Sequence, residues 1–97
     1  MTVEVEVGFV AVLRQLAGAE EMTLDFEAPV TIKDVVSELT SRLSPAFKHA
    51  LMNPELDDPR PNVIILVNER EIGVLQGLET RVDHGDRLKI IPVSHGG

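Results

Sequence analysis

Gly96 and Gly97 close the sequence after His95, and a diglycine on a free C-terminus would present a carboxylate with no side chain near it. Glycine adopts backbone conformations closed to other residues, and without a Cβ it lets the main chain pass a narrow channel and approach a nucleotide closely. A terminal carboxylate threaded to ATP can be adenylated and then passed to sulfur or nitrogen. Other reactive groups are scarce. The sequence has no Cys, so it offers no disulfide framework, thiolate zinc site or thiol nucleophile, and any sulfur chemistry has to use sulfur carried on the chain's end. His49 and His84 lack a carboxylate partner at metal-ligand spacing and read as surface residues, so no metal is expected.

Such a terminus needs a small, stable body to present it. The 97 residues predict one domain with a single core, too small for a cofactor-binding fold plus a substrate domain. With 43% apolar and 26% charged residues the chain reads as soluble and globular, and no apolar run reaches the roughly 20 residues of a membrane span. Met1-Thr2-Val3-Glu4 lacks the basic start and apolar run of a signal peptide, and a cytoplasmic location is expected. The net charge of −7 opposes direct binding to a phosphate backbone and favours a protein partner with a basic face, although solubility alone would also account for it.

Val3, Val5 and Val7 alternate with polar residues and predict a half-buried first strand. Val10, Leu13, Leu16 and Ala17 recur at helical spacing until Gly18, and Met22, Leu24 and Phe26 then alternate again. Thr31 with Asp34 resembles a capping box, and Ile32, Val35, Val36, Leu39 and Leu43 mark the apolar face of the main helix. Pro45 opens a shorter helical pattern, and Asn53 to Asn62, with three prolines and three acidic residues, reads as a surface loop. Val63 to Val67 is a continuous apolar run, predicting a strand covered on both faces or lying at a sheet centre. Ile72 to Leu75 predicts a short strand, and Leu88, Ile90 and Ile91 a last strand delivering the tail. This order predicts an α+β fold in which one main helix packs on one face of a mixed sheet. Residues 1–92 would form the domain and 93–97 a flexible C-terminal tail.

The segments Leu13-Arg14-Gln15-Leu16-Ala17-Gly18, Thr31-Ile32-Lys33-Asp34-Val35, Val67-Asn68 and Asp83-His84-Gly85-Asp86, with terminal Gly96-Gly97, resemble those of the β-grasp (ubiquitin-like) sulfur carriers. The chain is similar to both the molybdopterin synthase small subunit and the ubiquitin-related modifier family. The resemblance implies a β-grasp fold with the first and last strands paired in parallel at the sheet centre and a protruding C-terminal tail. It implies that a ubiquitin-activating-type enzyme adenylates Gly97 with ATP and promotes its conversion to a thiocarboxylate, while Gly96 serves passage through the channel. The carrier itself would be no enzyme and would bind no cofactor, the ATP being used by the activating partner. Its sulfur would go to molybdopterin, with a molybdopterin synthase large subunit as a further partner. The alternative use is as a modifier supplying a tRNA thiolation enzyme or conjugated to lysines of target proteins. Ile91 and Val93 stand where synthase small subunits commonly carry an aromatic and a second proline, and His95 before the diglycine looks like the modifier family.

Strand alternation puts one set of side chains on the sheet face away from the helix, where a partner would dock. Phe9, Ile65, Ile91 and Val93 are candidates for an apolar patch there, against the competing reading that some of them are core. His95 is a candidate partner contact, or a proton shuttle near the acyl group. A reading from another class is a β-grasp interaction module that is never activated and whose diglycine is incidental.

Overall fold

The computed structural model describes residues 1–93. Strands β1 (Thr2–Phe9), β2 (Glu21–Glu27), β4 (Val63–Val67), β5 (Arg70–Glu71) and β7 (Arg87–Pro92) form one five-stranded sheet in the order β2-β1-β7-β4-β5. β1 and β7 run parallel at its centre, with Val7 opposite Leu88 and Phe9 opposite Ile90, and the other neighbours are antiparallel. This is the β-grasp arrangement.

The helices form for local reasons. α1 (Val12–Ala17) links β1 to β2 and ends where Gly18, at φ 73°, turns its N–H back to the carbonyls of Arg14 and Gln15. α2 (Ile32–Arg42) starts at Thr31, whose backbone N–H and hydroxyl both donate to Asp34 Oδ2, at 2.9 and 3.1 Å. α3 (Pro45–Leu51) is capped by Ser44 Oγ, which accepts from the Phe47 N–H at 3.1 Å, with proline in its first turn.

One face of the sheet is closed by these helices. Val3, Val5, Val7 and Phe9 of β1 point inward with Val63, Ile65 and Val67 of β4 and Leu88 and Ile90 of β7, against Ile32, Val35 and Leu39 of α2 and Phe47 and Leu51 of α3. Phe9 and Phe47 meet edge to face, with ring centroids 5.4 Å apart at 81°.

Three elements differ from the sequence expectation. Ile72 to Val74 is a turn of 3-10 helix rather than a strand, because the Glu71 carboxylate accepts from the Gly73 N–H and curls the chain. Gly77 to Glu79 forms a second 3-10 turn, and β6 (Arg81–Val82) then pairs with β3 (Val30–Thr31) in a separate two-stranded sheet. β4 is neither central nor covered on both faces, since it lies between β7 and the two-residue β5 and Ile64 remains 41% exposed on its outer side.

Candidate functional site: the strand exit and the open sheet face

β7 delivers the chain to the end of the sheet, where the Val93 N–H donates to the Asn62 carbonyl at 2.9 Å. Asn62 is itself held, its side-chain amide donating to the Ala50 carbonyl of α3 at 3.3 Å. The last described residue therefore hangs from the body of the fold, and Ser94 to Gly97 follow it. The assignments made to His95, Gly96 and Gly97 lie outside the described residues.

Among the described residues no element covers the face of the sheet opposite the helices. Ile64 stands directly opposite Ile91, and Leu66 opposite Lys89, while Val93 follows the end of β7 at the exit and is partly exposed. Ile64, Leu66, Ile91 and Val93 thus make a partly exposed apolar strip leading to the tail. Burying such a strip against a partner is what a run of five apolar residues in a one-side-covered strand is suited to.

Two of the predicted patch residues are elsewhere. Phe9 and Ile65 are each 1% exposed and belong to the core, so they are corrected from partner contacts to packing residues. The physical reason is the two-residue period. Val3, Val5 and Val7 set the odd positions of β1 inward, and Phe9 continues that phase, while Val63 and Val67 fix Ile65 inward in the same way. Ile91 lies on the outer face, and Val93, just past the end of β7, is partly exposed. Ile64 and Leu66 take the places assigned to Ile65 and Phe9.

Beyond the apolar strip the face is charged. Glu4 lies opposite Asp25, and Glu6 and Glu21 lie on neighbouring strands, so β1 and β2 present an acidic half. A hydrogen bond with the Glu6 carboxylate, reinforced by its negative charge, holds the Glu21 carboxyl above its ordinary value, and Arg87 partly opposes this. Arg87 Nε lies 3.5 Å from Glu6 Oε2. At the far end from the tail, Asn68 clamps the β4–β5 hairpin to the turn that opens β7. Its amide donates to Asp86 Oδ1 and its oxygen accepts from the Arg87 N–H, both at 3.0 Å. His84 Nδ1 accepts from the Glu4 N–H at 3.0 Å, so this exposed histidine helps tie the Asp83–Asp86 turn to β1.

The family model that matches the chain is that of the ThiS family, over residues 7–97. The chain belongs to the ThiS family. Within this group of β-grasp, ubiquitin-like sulfur carriers and modifiers, it is 28% identical over 94 residues to small archaeal modifier protein 3 of Haloferax volcanii, spanning 97% of this chain and 99% of that one. The solution structure of small archaeal modifier protein 1 of Methanosarcina acetivorans is similar at 33% identity and a TM-score of 0.80, covering 100% of this chain and 99% of the other. A Pyrococcus furiosus protein assigned as molybdopterin converting factor subunit 1 is similar at 26% identity and a TM-score of 0.74, over 95% and 99% of the two chains.

For a ThiS-family chain the geometry has a consistent sense. The central strand that ends at the tail is also the strand that carries Ile91 on the open face, so a protein docked there lies beside the exit at Val93. Among the described residues no group of three His, Asp or Glu side chains is arranged to hold a metal ion. No described helix is long and apolar enough to cross a membrane.

Proposed function

We propose that the Gly97 carboxylate of this chain is adenylated by a ubiquitin-activating-type enzyme and converted to a thiocarboxylate, and that the activated terminus serves a modifier-type pathway. A carboxylate is a poor electrophile because its charge is delocalised. Its oxygen attacks the α-phosphorus of ATP and pyrophosphate leaves. The acyl adenylate then loses AMP to a sulfur nucleophile, a covalent route that divides one hard step into two easier ones. The chain supplies the carboxylate and the docking face, Gly96 supplies the clearance for passage, and the partner supplies the catalytic groups. The work is assigned to the cytoplasm, where ATP and the acceptors are.

The observation that carries this reading is the anchored strand exit at Val93 beside an uncovered apolar strip, in a chain that runs on to Gly96-Gly97. The modifier use, with sulfur passed to tRNA thiolation or the glycine joined to a protein lysine, is supported by the two relatives at 28% and 33% identity, both named as modifiers. A second reading, donation of sulfur to molybdopterin as the small subunit of a synthase, is supported by the relative at 26% identity assigned to molybdopterin conversion.

Intact mass spectrometry of the protein purified from its own cells tests the activated terminus. A gain of about 16 Da confined to the C-terminal peptide is expected, sulfur having replaced one carboxylate oxygen. Deletion of Gly97 should abolish that species, and a deletion that leaves every partner complex and phenotype unchanged refutes the carrier reading in favour of an unactivated module. Deleting the gene separates the two uses. Loss of thiolated tRNA or of high-mass conjugates supports the first, and loss of molybdoenzyme activity the second.

A further inference from the structure

Gly8 sits inside β1, on the uncovered face of the sheet, between Lys89 of β7 and Glu21 of β2. Glycine in a strand interior weakens the strand by roughly 0.5–1 kcal/mol relative to alanine. The fold itself does not require it. A Cβ added at Gly8 would meet only the Leu88 carbonyl oxygen, at the ordinary contact distance of 3.6 Å, and the backbone there is not in the left-handed region. Gly8 is at neither a bulge nor a bend of β1, and the remaining use of a glycine in a strand interior is to leave room where a ligand or another backbone approaches closely.

The space above it is shaped and charged. A hollow of about 450 Å³ opens on this face, lined by Gly8 and Leu66 together with Glu6, Glu21, Arg87 and Lys89. The two carboxylates are not equally satisfied. Glu6 has Arg87 at 3.5 Å, whereas among the described residues Glu21 has no salt-bridge partner and has a second carboxylate for a neighbour. Like charges on adjacent strands oppose pairing, as they do for Glu4 directly opposite Asp25. The face therefore keeps a repulsion that a cation from outside would relieve, and the chain's net charge of −7 draws a basic partner toward it.

We infer that this hollow is the seat for a basic side chain, arginine or lysine, of the protein that docks on the open face, its aliphatic stem over Gly8 and Leu66 and its cation against Glu6 and Glu21. The inference rests on the proposed function for the identity of that protein, the adenylating enzyme. The seat lies nearer the Asn68 hairpin than the tail, so it fixes how the carrier is oriented while the apolar strip lies beside the exit. Gly8→Leu fills the seat without touching a charge, and Glu21→Lys reverses the charge without filling it. Gly8→Ala is the small-volume control.

The experiment measures the dissociation constant for the ubiquitin-activating-type enzyme encoded in the same genome, at low and high salt, and the KM and kcat for the carrier in ATP–pyrophosphate exchange. Thermal unfolding and the amide NMR spectrum establish that each variant is folded. Gly8→Leu and Glu21→Lys are each expected to raise the dissociation constant and KM at least tenfold with kcat within twofold of wild type, and Gly8→Ala to raise them by a smaller factor, so that the loss grows with the volume added at position 8. Glu21→Gln should flatten the salt dependence. If Gly8→Leu and Glu21→Lys bind and are adenylated as wild type is, the seat is refuted and the proposed function stands. If the wild-type chain binds but is never adenylated, while the two variants lose binding, the seat stands and the proposed function fails. If the wild-type chain does not bind this enzyme, both fail.

Discussion

Phe9→Ala and Ile64→Ala should have opposite consequences, and together they test which face of the sheet is which. Phe9 is 1% exposed and packs edge-on against Phe47 at 5.4 Å. Truncating a buried phenylalanine costs about 3–5 kcal/mol, of which the aromatic pair accounts for about 0.5–1.5. A domain of this size has roughly 5–15 kcal/mol of stability in all, so the loss is a large fraction of it. At about 4–8 °C per kcal/mol for a domain of this length, Tm should fall by about 20 °C.

Ile64 is 41% exposed, and its main contact on the outer face is the cross-strand one with Ile91. A pair of that kind contributes roughly 0.2–1 kcal/mol, so Tm should move by only about 5 °C. Its loss should appear instead in binding, as an approximately tenfold weaker complex with the activating enzyme, the equivalent of about 1.4 kcal/mol. Urea or thermal unfolding followed by circular dichroism measures the first effect, and titration calorimetry the second. Equal destabilisation by the two substitutions, or a Phe9→Ala protein with wild-type Tm and weakened binding, would refute the assignment of faces.

The remaining predictions concern the tail, the hairpin clamp and two carboxylates. Gly96→Ala should unfold at the wild-type temperature yet be adenylated poorly, because the added methyl matters only inside the partner's channel; normal adenylation kinetics would count against threading. Asn68 has φ 49° and two side-chain hydrogen bonds, so Asn68→Gly loses the bonds while Asn68→Ala also meets backbone strain. Urea unfolding should therefore rank alanine below glycine by about 1 kcal/mol. Arg60 holds the Asp58 carboxyl below its ordinary value, chiefly through a side-chain hydrogen bond. A carboxyl depressed in the folded state adds stability that is present above its unfolded value of 3.8 and is lost as pH falls through the lower folded value. Asp58→Asn should accordingly flatten the acid limb of the stability-versus-pH curve below about pH 4. Glu21 has the opposite sign, since its folded value is raised by Glu6 above 4.5. Its stability contribution is present at acid pH and lost as pH rises through the folded value, so Glu21→Gln should leave the protein at least as stable as wild type at pH 7.

The helices were legible because each has a local mark. Thr31 with Asp34, Ser44 before Pro45, and Gly18 after Ala17 are short-range signals that tertiary context did not override. The phase of the strands was legible only where one face is polar. Val3, Val5 and Val7 alternate with glutamates and threonine, and extending that phase by two residues would have put Phe9 inside. Val63 to Val67 has no polar position, so period alone does not choose between the sets 63, 65, 67 and 64, 66, and it leaves Ile65 open to either face. The pairing of Val30 with Val82 joins two-residue segments far apart in sequence, and nothing local predicts it. Ile72 to Leu75 is apolar enough for a strand, but the neighbouring Glu71 carboxylate captures the Gly73 N–H and turns it into a 3-10 helix.

Under the proposed function, the arrangement of the sheet has a use in presenting the C-terminus to a larger enzyme. The parallel pair β1–β7 puts the C-terminal ends of both strands at one end of the sheet, and the chain leaves there from the central strand rather than from an edge. A chain leaving a central strand is held on both sides for most of its length, here by β1 as far as Ile90, and then by the β4 side alone through Val63 opposite Pro92 and the Val93 bond to Asn62. The point at which the described chain ends is thereby fixed to the sheet. An enzyme that recognised the open face would meet the strand exit at a fixed position, and docking would do part of the orienting that the proposed adenylation requires. On this view Ile64, Leu66, Gly8 and Glu21 act on the reaction through KM for the carrier, whereas Gly96 and Gly97 act on the step in which the carboxylate meets ATP. Substitutions in the first set should be overcome by raising the carrier concentration, and substitutions in the second should not.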